Sequence, residues 1–139
     1  MRLKKVFYEL YESETTWLEA NISRNLHYLD REVHLEFDDN DSLFISWKEV
    51  GQGTFHGFVV HYQNKRHFNQ PAPLLIEVSQ TNIWKNLIGK DLSFEYCERY
   101  KRELEIISDG HSVWCWTEGE HGSDVLHLSA SASSRALPL

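Results

Sequence analysis

The chain has 139 residues, the usual length of one domain, and a hydrophobic share of 41% is enough to build a core. Twenty-one acidic and fourteen basic side chains give a net charge of -7, which repels phosphate backbones and anionic lipid headgroups. We therefore expect neither nucleic acid nor a membrane as a partner. Two cysteines, Cys97 and Cys115, are too few for a disulfide framework, and no apolar run reaches the roughly eighteen residues of a membrane span. These features predict a cytoplasmic protein with reduced thiols.

The N-terminal residues 3–29 have the apolar spacing of a helix. Leu3, Val6 and Leu10 recur at intervals of three and four, and the apolar residues that follow do so more loosely. Ser13 is a suitable N-cap for a second helical piece, because its hydroxyl can accept a hydrogen bond from a first-turn amide. The pattern predicts an N-terminal helical segment, in one or two pieces.

The spacing changes from helical to alternating at Glu32. Residues 32–37 alternate between polar and apolar, which is typical of a half-buried strand. Short polar residues at 38–42 then favour a turn, and residues 43–47 resume the strand pattern. This region predicts a hairpin. The residues expected on the solvent face of its first strand are Glu32, His34 and Glu36.

The remaining chain predicts mostly strands. They are expected at residues 55–62, 74–78, 92–97, 104–107, 113–116 and 124–129. Residues 83–88 have the spacing of a short helix closed by Gly89, and Asp109-Gly110 is a strong hairpin signal. The predicted fold is α+β, with an antiparallel, meander-like sheet of about six to eight strands, an N-terminal helical segment and one short mid-chain helix. Residues 1–129 would form a single domain, and the Ser-rich residues 130–139 a disordered tail.

The motifs for chemistry are incomplete. His111 and Cys115 would project from the same side of one strand, but a structural zinc site needs four convergent ligands. The stretch from Asp38 to Glu49 imitates the ligand order of a calcium loop, yet Leu43 stands where the sharp turn requires glycine. A cysteine nucleophile would need a base to form its thiolate, and a thiol within an aromatic strand is expected to be buried and inert. The sequence predicts no catalytic residue, no metal and no cofactor.

Trp114 and Trp116 would share one face of a strand whose other face carries Val113 and Cys115. Both faces are therefore apolar. Either the strand is covered on both sides, or the tryptophan pair is exposed and anchors an interface.

One succession of segments resembles a group of bacterial proteins. It comprises Phe37-Asp38-Asp39, the strand Ser42–Trp47, the segment Asn82–Lys90 and the Asp109-Gly110 turn before an aromatic strand. These features are similar to small uncharacterised bacterial proteins, some of which resemble the immunity partners of polymorphic toxins. The resemblance implies a protein that binds and inhibits a toxin.

The leading hypothesis is a noncatalytic protein-binding domain, an immunity-type inhibitor whose acidic surface complements a basic toxin. One hairpin would present the carboxylates together, and the tryptophan pair would add an apolar anchor. The expected protein-binding residues are Glu32, Glu36, Asp38, Asp39, Asp41, Trp114 and Trp116.

Two alternatives from other classes stay open. The first is a small-molecule-binding protein or enzyme with an aromatic pocket, to which His56, His61 and Tyr62 would contribute polar groups. The second is a homo-oligomeric assembly domain that dimerises through an edge strand or the tryptophan pair.

Overall fold

A computed structural model describes residues 2–29, 32–51, 54–63, 74–96, 103–116 and 126–130. Within these ranges the chain forms ten strands, one 3-10 turn at Glu12–Glu14 and one helix, α1, at Thr15–Asn21. The strands are β1 Leu3–Leu10, β2 Leu26–Leu29, β3 Val33–Phe37, β4 Ser42–Gly51, β5 Thr54–Gln63, β6 Leu74–Glu77, β7 Ser93–Tyr96, β8 Glu103–Ser108, β9 His111–Trp116 and β10 Leu126–Ser129. The predicted tail, apart from Ala130, lies outside the described residues.

The strands form two five-stranded antiparallel sheets, with the orders β5-β4-β3-β1-β6 and β2-β10-β9-β8-β7. The sequence predicts one sheet of about six to eight strands, whereas the described strands divide between two sheets. Consecutive hairpins do form meanders within each sheet, but β2 pairs with β10 in the second sheet, and β6 returns to pair with β1. A largely antiparallel structure with one short helix among the described residues remains compatible with the predicted α+β class.

Residues 3–10 form strand β1, so the predicted helix is wrong over this part of the chain. The cause is a β-bulge between Leu3 and Lys5, where two steps along β1 match one step along β3. The bulge shifts the alternation, so Leu3 and Val6 are both buried although they are three positions apart. Beyond it, Val6, Tyr8 and Leu10 follow the ordinary period of a strand.

The second helical piece is confirmed over Thr15–Asn21 as α1, whereas Leu26–Leu29 at the end of the predicted segment form strand β2, and the predicted cap is not confirmed. The chain enters α1 through the 3-10 turn, and Glu14, not Ser13, stands at the N-cap position. The Glu14 carboxylate accepts a hydrogen bond from the Tyr11 amide at 2.7 Å. A side chain of the turn itself therefore satisfies an amide that no helical carbonyl reaches.

The predicted mid-chain helix is instead a series of turns over residues 82–89. Three bonds, from the amides of Trp84, Leu87 and Lys90 to the carbonyls three residues before them, span three residues, and only the bond from the Lys85 amide to the Thr81 carbonyl spans four. Gly89 has the left-handed φ of 82° that was expected, and its amide donates to the Leu3 carbonyl at 2.7 Å. This anchors the turns against β1.

Both predicted hairpins are confirmed. Asp109 and Gly110 have φ values of 48° and 83° and connect β8 to β9 in the two-residue turn that suits twisted strands. Asn40 has a φ of 68° in the turn between β3 and β4.

Both sheets contribute to one core. The fully buried apolar side chains include Val6, Val33, Leu35 and Ile45 of the first sheet, and Leu104, Ile106, Val113 and Leu128 of the second. Ile83, Trp84 and Leu87 of the mid-chain turns join the same cluster. Among the described residues, no helix is both long and apolar enough to span a bilayer.

Candidate functional site

The turn between β3 and β4 presents a group of carboxylates, here called the acidic turn, at Asp38, Asp39 and Asp41. It is closed by the Phe37 amide, which donates to the Asp41 carbonyl at 2.9 Å. One Asp39 carboxylate oxygen accepts the Asp41 amide, and one Asp38 carboxylate oxygen accepts the Arg2 amide, both at 3.0 Å. Asp38 and Asp39 are exposed, and Asp41 is half-buried. These bonds hold two of the carboxylates in fixed positions at the surface.

The two predicted glutamates lie apart from each other. Glu36 is next to the acidic turn, and its side chain is 36% exposed and lies 4.0 Å from the Lys4 ammonium. Glu32 precedes β3, and the four-residue rise between it and Glu36 is about 13 Å. The hairpin therefore groups Glu36 with the acidic turn, while Glu32 joins a different set of side chains.

The tryptophan pair lies in a strand that is covered on both faces. Trp116 is only 5% exposed, and Trp114 is half-buried and packs against the core cluster. Val113 and Cys115 on the other face are fully buried. Of the two alternatives for this strand, the covered one matches these positions, and Trp116 has little surface to offer a partner.

A chain of buried hydrogen bonds joins the two sheets to the mid-chain turns. Trp84 Nε1 donates to the Tyr8 hydroxyl at 2.8 Å, and the Tyr8 hydroxyl is 2.7 Å from His27 Nδ1. His27 Nε2 lies 3.1 Å from the Ile22 carbonyl oxygen. Because the indole can only donate and the carbonyl can only accept, Tyr8 donates to Nδ1 and the imidazole carries its proton on Nε2. Each side-chain polar atom in this series of hydrogen bonds therefore has a partner.

Burial sets the protonation states in this network. It raises the pKa of the Tyr8 hydroxyl, an effect that the bond from Trp84 partly offsets. Burial also lowers the pKa of His27, against the opposing effect of the Ile22 carbonyl. The neutral forms of both groups are therefore favoured, as the hydrogen-bond directions require.

The face of the first sheet that was expected to meet solvent contains a second polar group. His34 is only 7% exposed, its ring packs edge-on against Phe44 with centroids 4.6 Å apart, and Glu9 is fully buried. His34 Nε2 is 3.3 Å from a Glu9 carboxylate oxygen. The solvent-facing assignment of His34 is therefore wrong.

Glu32 completes this group, which we call the Glu-Glu-His cluster: Glu9, Glu32 and His34. One ligand atom from each side chain lies within 4.8 Å of the other two. Among the residues that the structure describes, this is the one group of three histidine, cysteine or acidic side chains that could hold a metal ion. Carboxylate oxygens and an imidazole nitrogen suit a divalent cation such as zinc or manganese.

The other residues considered for metal binding or catalysis do not form a site among the described residues. His111 is exposed and Cys115 is buried, and they do not belong to such a group. Burial raises the pKa of the Cys115 thiol, which keeps it protonated and unreactive. The side chains of His56, His61 and Tyr62, proposed for a pocket, lie outside the described part of the structure, as does Cys97.

Sequence reasoning missed Glu9 and Tyr8, both of which were assigned to a helix. The alternation of Val6, Tyr8 and Leu10 with Phe7 and Glu9 was the signal for a strand with one polar residue on its outer face. A comparison of the chain with protein families, with curated proteins and with solved structures finds no match.

Proposed function

We propose that the chain is a noncatalytic protein-binding domain that uses the acidic turn to contact a basic protein partner. The observation that carries the proposal is the fixed geometry of Asp38 and Asp39, which are exposed while their carboxylates are held by backbone amides. A surface that is already ordered loses less conformational entropy when a partner binds. More specifically, we propose that the partner is a basic toxin and that the chain is its immunity-type inhibitor.

The distribution of charge also favours the acidic turn as the binding surface. Glu36 extends the acidic turn along β3, so four carboxylates lie near one end of the hairpin, where Lys4 is the cation paired with Glu36. The net charge of -7 adds a negative field over the whole molecule. Such a field accelerates encounter with a basic partner and weakens as salt is added.

Affinity capture followed by mass spectrometry tests the proposal. The tagged protein is compared with a turn variant carrying Asp38→Asn, Asp39→Asn and Asp41→Asn. A control variant, with Glu12→Gln, Glu19→Gln and Glu95→Gln, removes the same charge from exposed positions elsewhere. We expect one basic protein to be retained stoichiometrically by the original chain and the control, and lost by the turn variant. Equal retention by all three proteins would exclude the acidic turn as the binding surface.

A homodimer is the second candidate function, because β6 forms an edge of the first sheet and pairs only with β1 among the described strands. Leu74 and Leu75 in β6 are each 42% exposed. An apolar edge strand can pair with a copy of itself. Sedimentation equilibrium should then show a dimer that Leu75→Lys dissociates, whereas a monomeric mass at all concentrations would exclude it.

A further inference from the structure

The Glu-Glu-His cluster is created by the pairing of β1 with β3. The Glu9 amide donates to the Glu32 carbonyl at 3.0 Å, and Phe7 is paired with His34 in the register of the two strands. Glu9 and His34 are therefore diagonal neighbours on one face, close enough for long side chains to meet. Glu9 therefore meets Glu32 and His34, which are close together in the sequence but far from Glu9, because of this register.

The separations within the cluster are close to those of metal ligands. Zinc binds nitrogen and oxygen at about 2.0–2.2 Å, so neighbouring ligands in a tetrahedral site are about 3.4 Å apart. His34 Nε2 and the Glu9 oxygen are 3.3 Å apart, and none of the three ligand atoms lies more than 4.8 Å from another.

The cluster places the carboxylate of a fully buried glutamate beside an imidazole nitrogen and a second carboxylate. Ionised carboxylates in a buried position are usually paired or bound to metal, and Glu9 is fully buried.

We propose that Glu9, Glu32 and His34 bind a divalent transition-metal ion, with two carboxylate oxygens and one imidazole nitrogen as ligands. Zinc is the representative ion, since it takes this mixture of oxygen and nitrogen donors. The site lies on the face of the first sheet opposite Val33 and Leu35 and is distinct from the acidic turn, so it does not depend on the protein-binding proposal.

Zinc titration tests this inference on the full chain, prepared without a histidine tag and stripped with a chelator. Competition against a chromophoric zinc chelator should give one equivalent of bound Zn²⁺. We expect Glu32→Gln and His34→Gln to weaken the affinity at least about 100-fold, because loss of a supporting residue alone typically costs 10–100-fold. Glu36→Gln is the matched control on the same strand and should change the affinity by less than about threefold.

A second readout separates lost ligation from lost folding. Each variant is first compared with the original protein by circular dichroism without metal, and half-buried Glu32 is the position at which folding is least at risk. X-ray absorption of the zinc-loaded protein should show nitrogen and oxygen neighbours and no sulfur. The proposal is overturned if the original chain binds no zinc at millimolar concentration, if folded Glu32→Gln and His34→Gln bind zinc as the original does, or if sulfur is among the ligands.

Discussion

Replacement of Tyr8 by phenylalanine tests whether the buried network joins the two sheets. The substitution keeps the ring and removes the hydroxyl, which accepts from Trp84 at 2.8 Å and bonds His27 at 2.7 Å. The indole N–H and the imidazole Nδ1 would then both lack a partner in the core. A buried polar group left unsatisfied costs about 1–3 kcal/mol, so with two such groups we expect the free energy of unfolding to fall by about 2–6 kcal/mol.

Urea denaturation followed by circular dichroism measures this change, with the free energy extrapolated linearly to water. A small domain usually has about 5–15 kcal/mol of stability, so a loss in the lower half of the expected range leaves the variant folded without denaturant. Ser13→Ala is the chemical control: Ser13 is exposed, and its loss of a hydroxyl should cost less than about 0.5 kcal/mol. If Tyr8→Phe costs no more than this control, the hydrogen-bond network does not stabilise the fold.

Three further predictions concern single residues. Burial lowers the pKa of His27, so the unfolded chain takes up a proton there below about pH 6.5 while the folded chain does not. The free energy of unfolding should therefore fall as the pH decreases below this value. In His27→Gln, the slope of the free energy of unfolding against pH, measured by denaturation, should be smaller by up to about 1.4 kcal/mol per pH unit. An unchanged slope would contradict the neutral state of His27. Gly110→Ala should cost about 1–2 kcal/mol in the same assay, because φ is 83° there although no atom lies within 4 Å of the added Cβ; no loss would mean that the turn can change its type. In a Cys97→Ser background, buried Cys115 should react with a thiol reagent only after unfolding, and rapid reaction of the native protein would show that the core is open.

Local patterns predicted the hairpins because their signals lie within a few residues. Asp109-Gly110 and the polar run at 38–42 specify turns through backbone conformations that short polar residues and glycine tolerate. The alternation on either side of each turn then sets the register of the strands. The acidic turn, which is part of the candidate binding surface, could be located from the sequence for the same reason.

The partition into two sheets could not be predicted in this way. The pairing of β2 with β10 and of β1 with β6 depends on contacts between distant parts of the chain. The bulge at Leu3 also gives β1 the spacing of a helix, which concealed a strand in the first sheet. The Glu-Glu-His cluster was missed for this reason, because Glu9 reaches His34 only when β1 pairs with β3.

The binding kinetics of the captured partner test the central proposal most directly. Association of the purified partner is measured at low and high salt for the original chain, the turn variant and the control variant. Because surface charges act mainly on the association rate, we expect the turn variant to associate at least about tenfold more slowly at low salt, with the control within about threefold of the original. Equal association rates for all three proteins, or the absence of any partner to purify, would contradict a protein-binding function for the acidic turn.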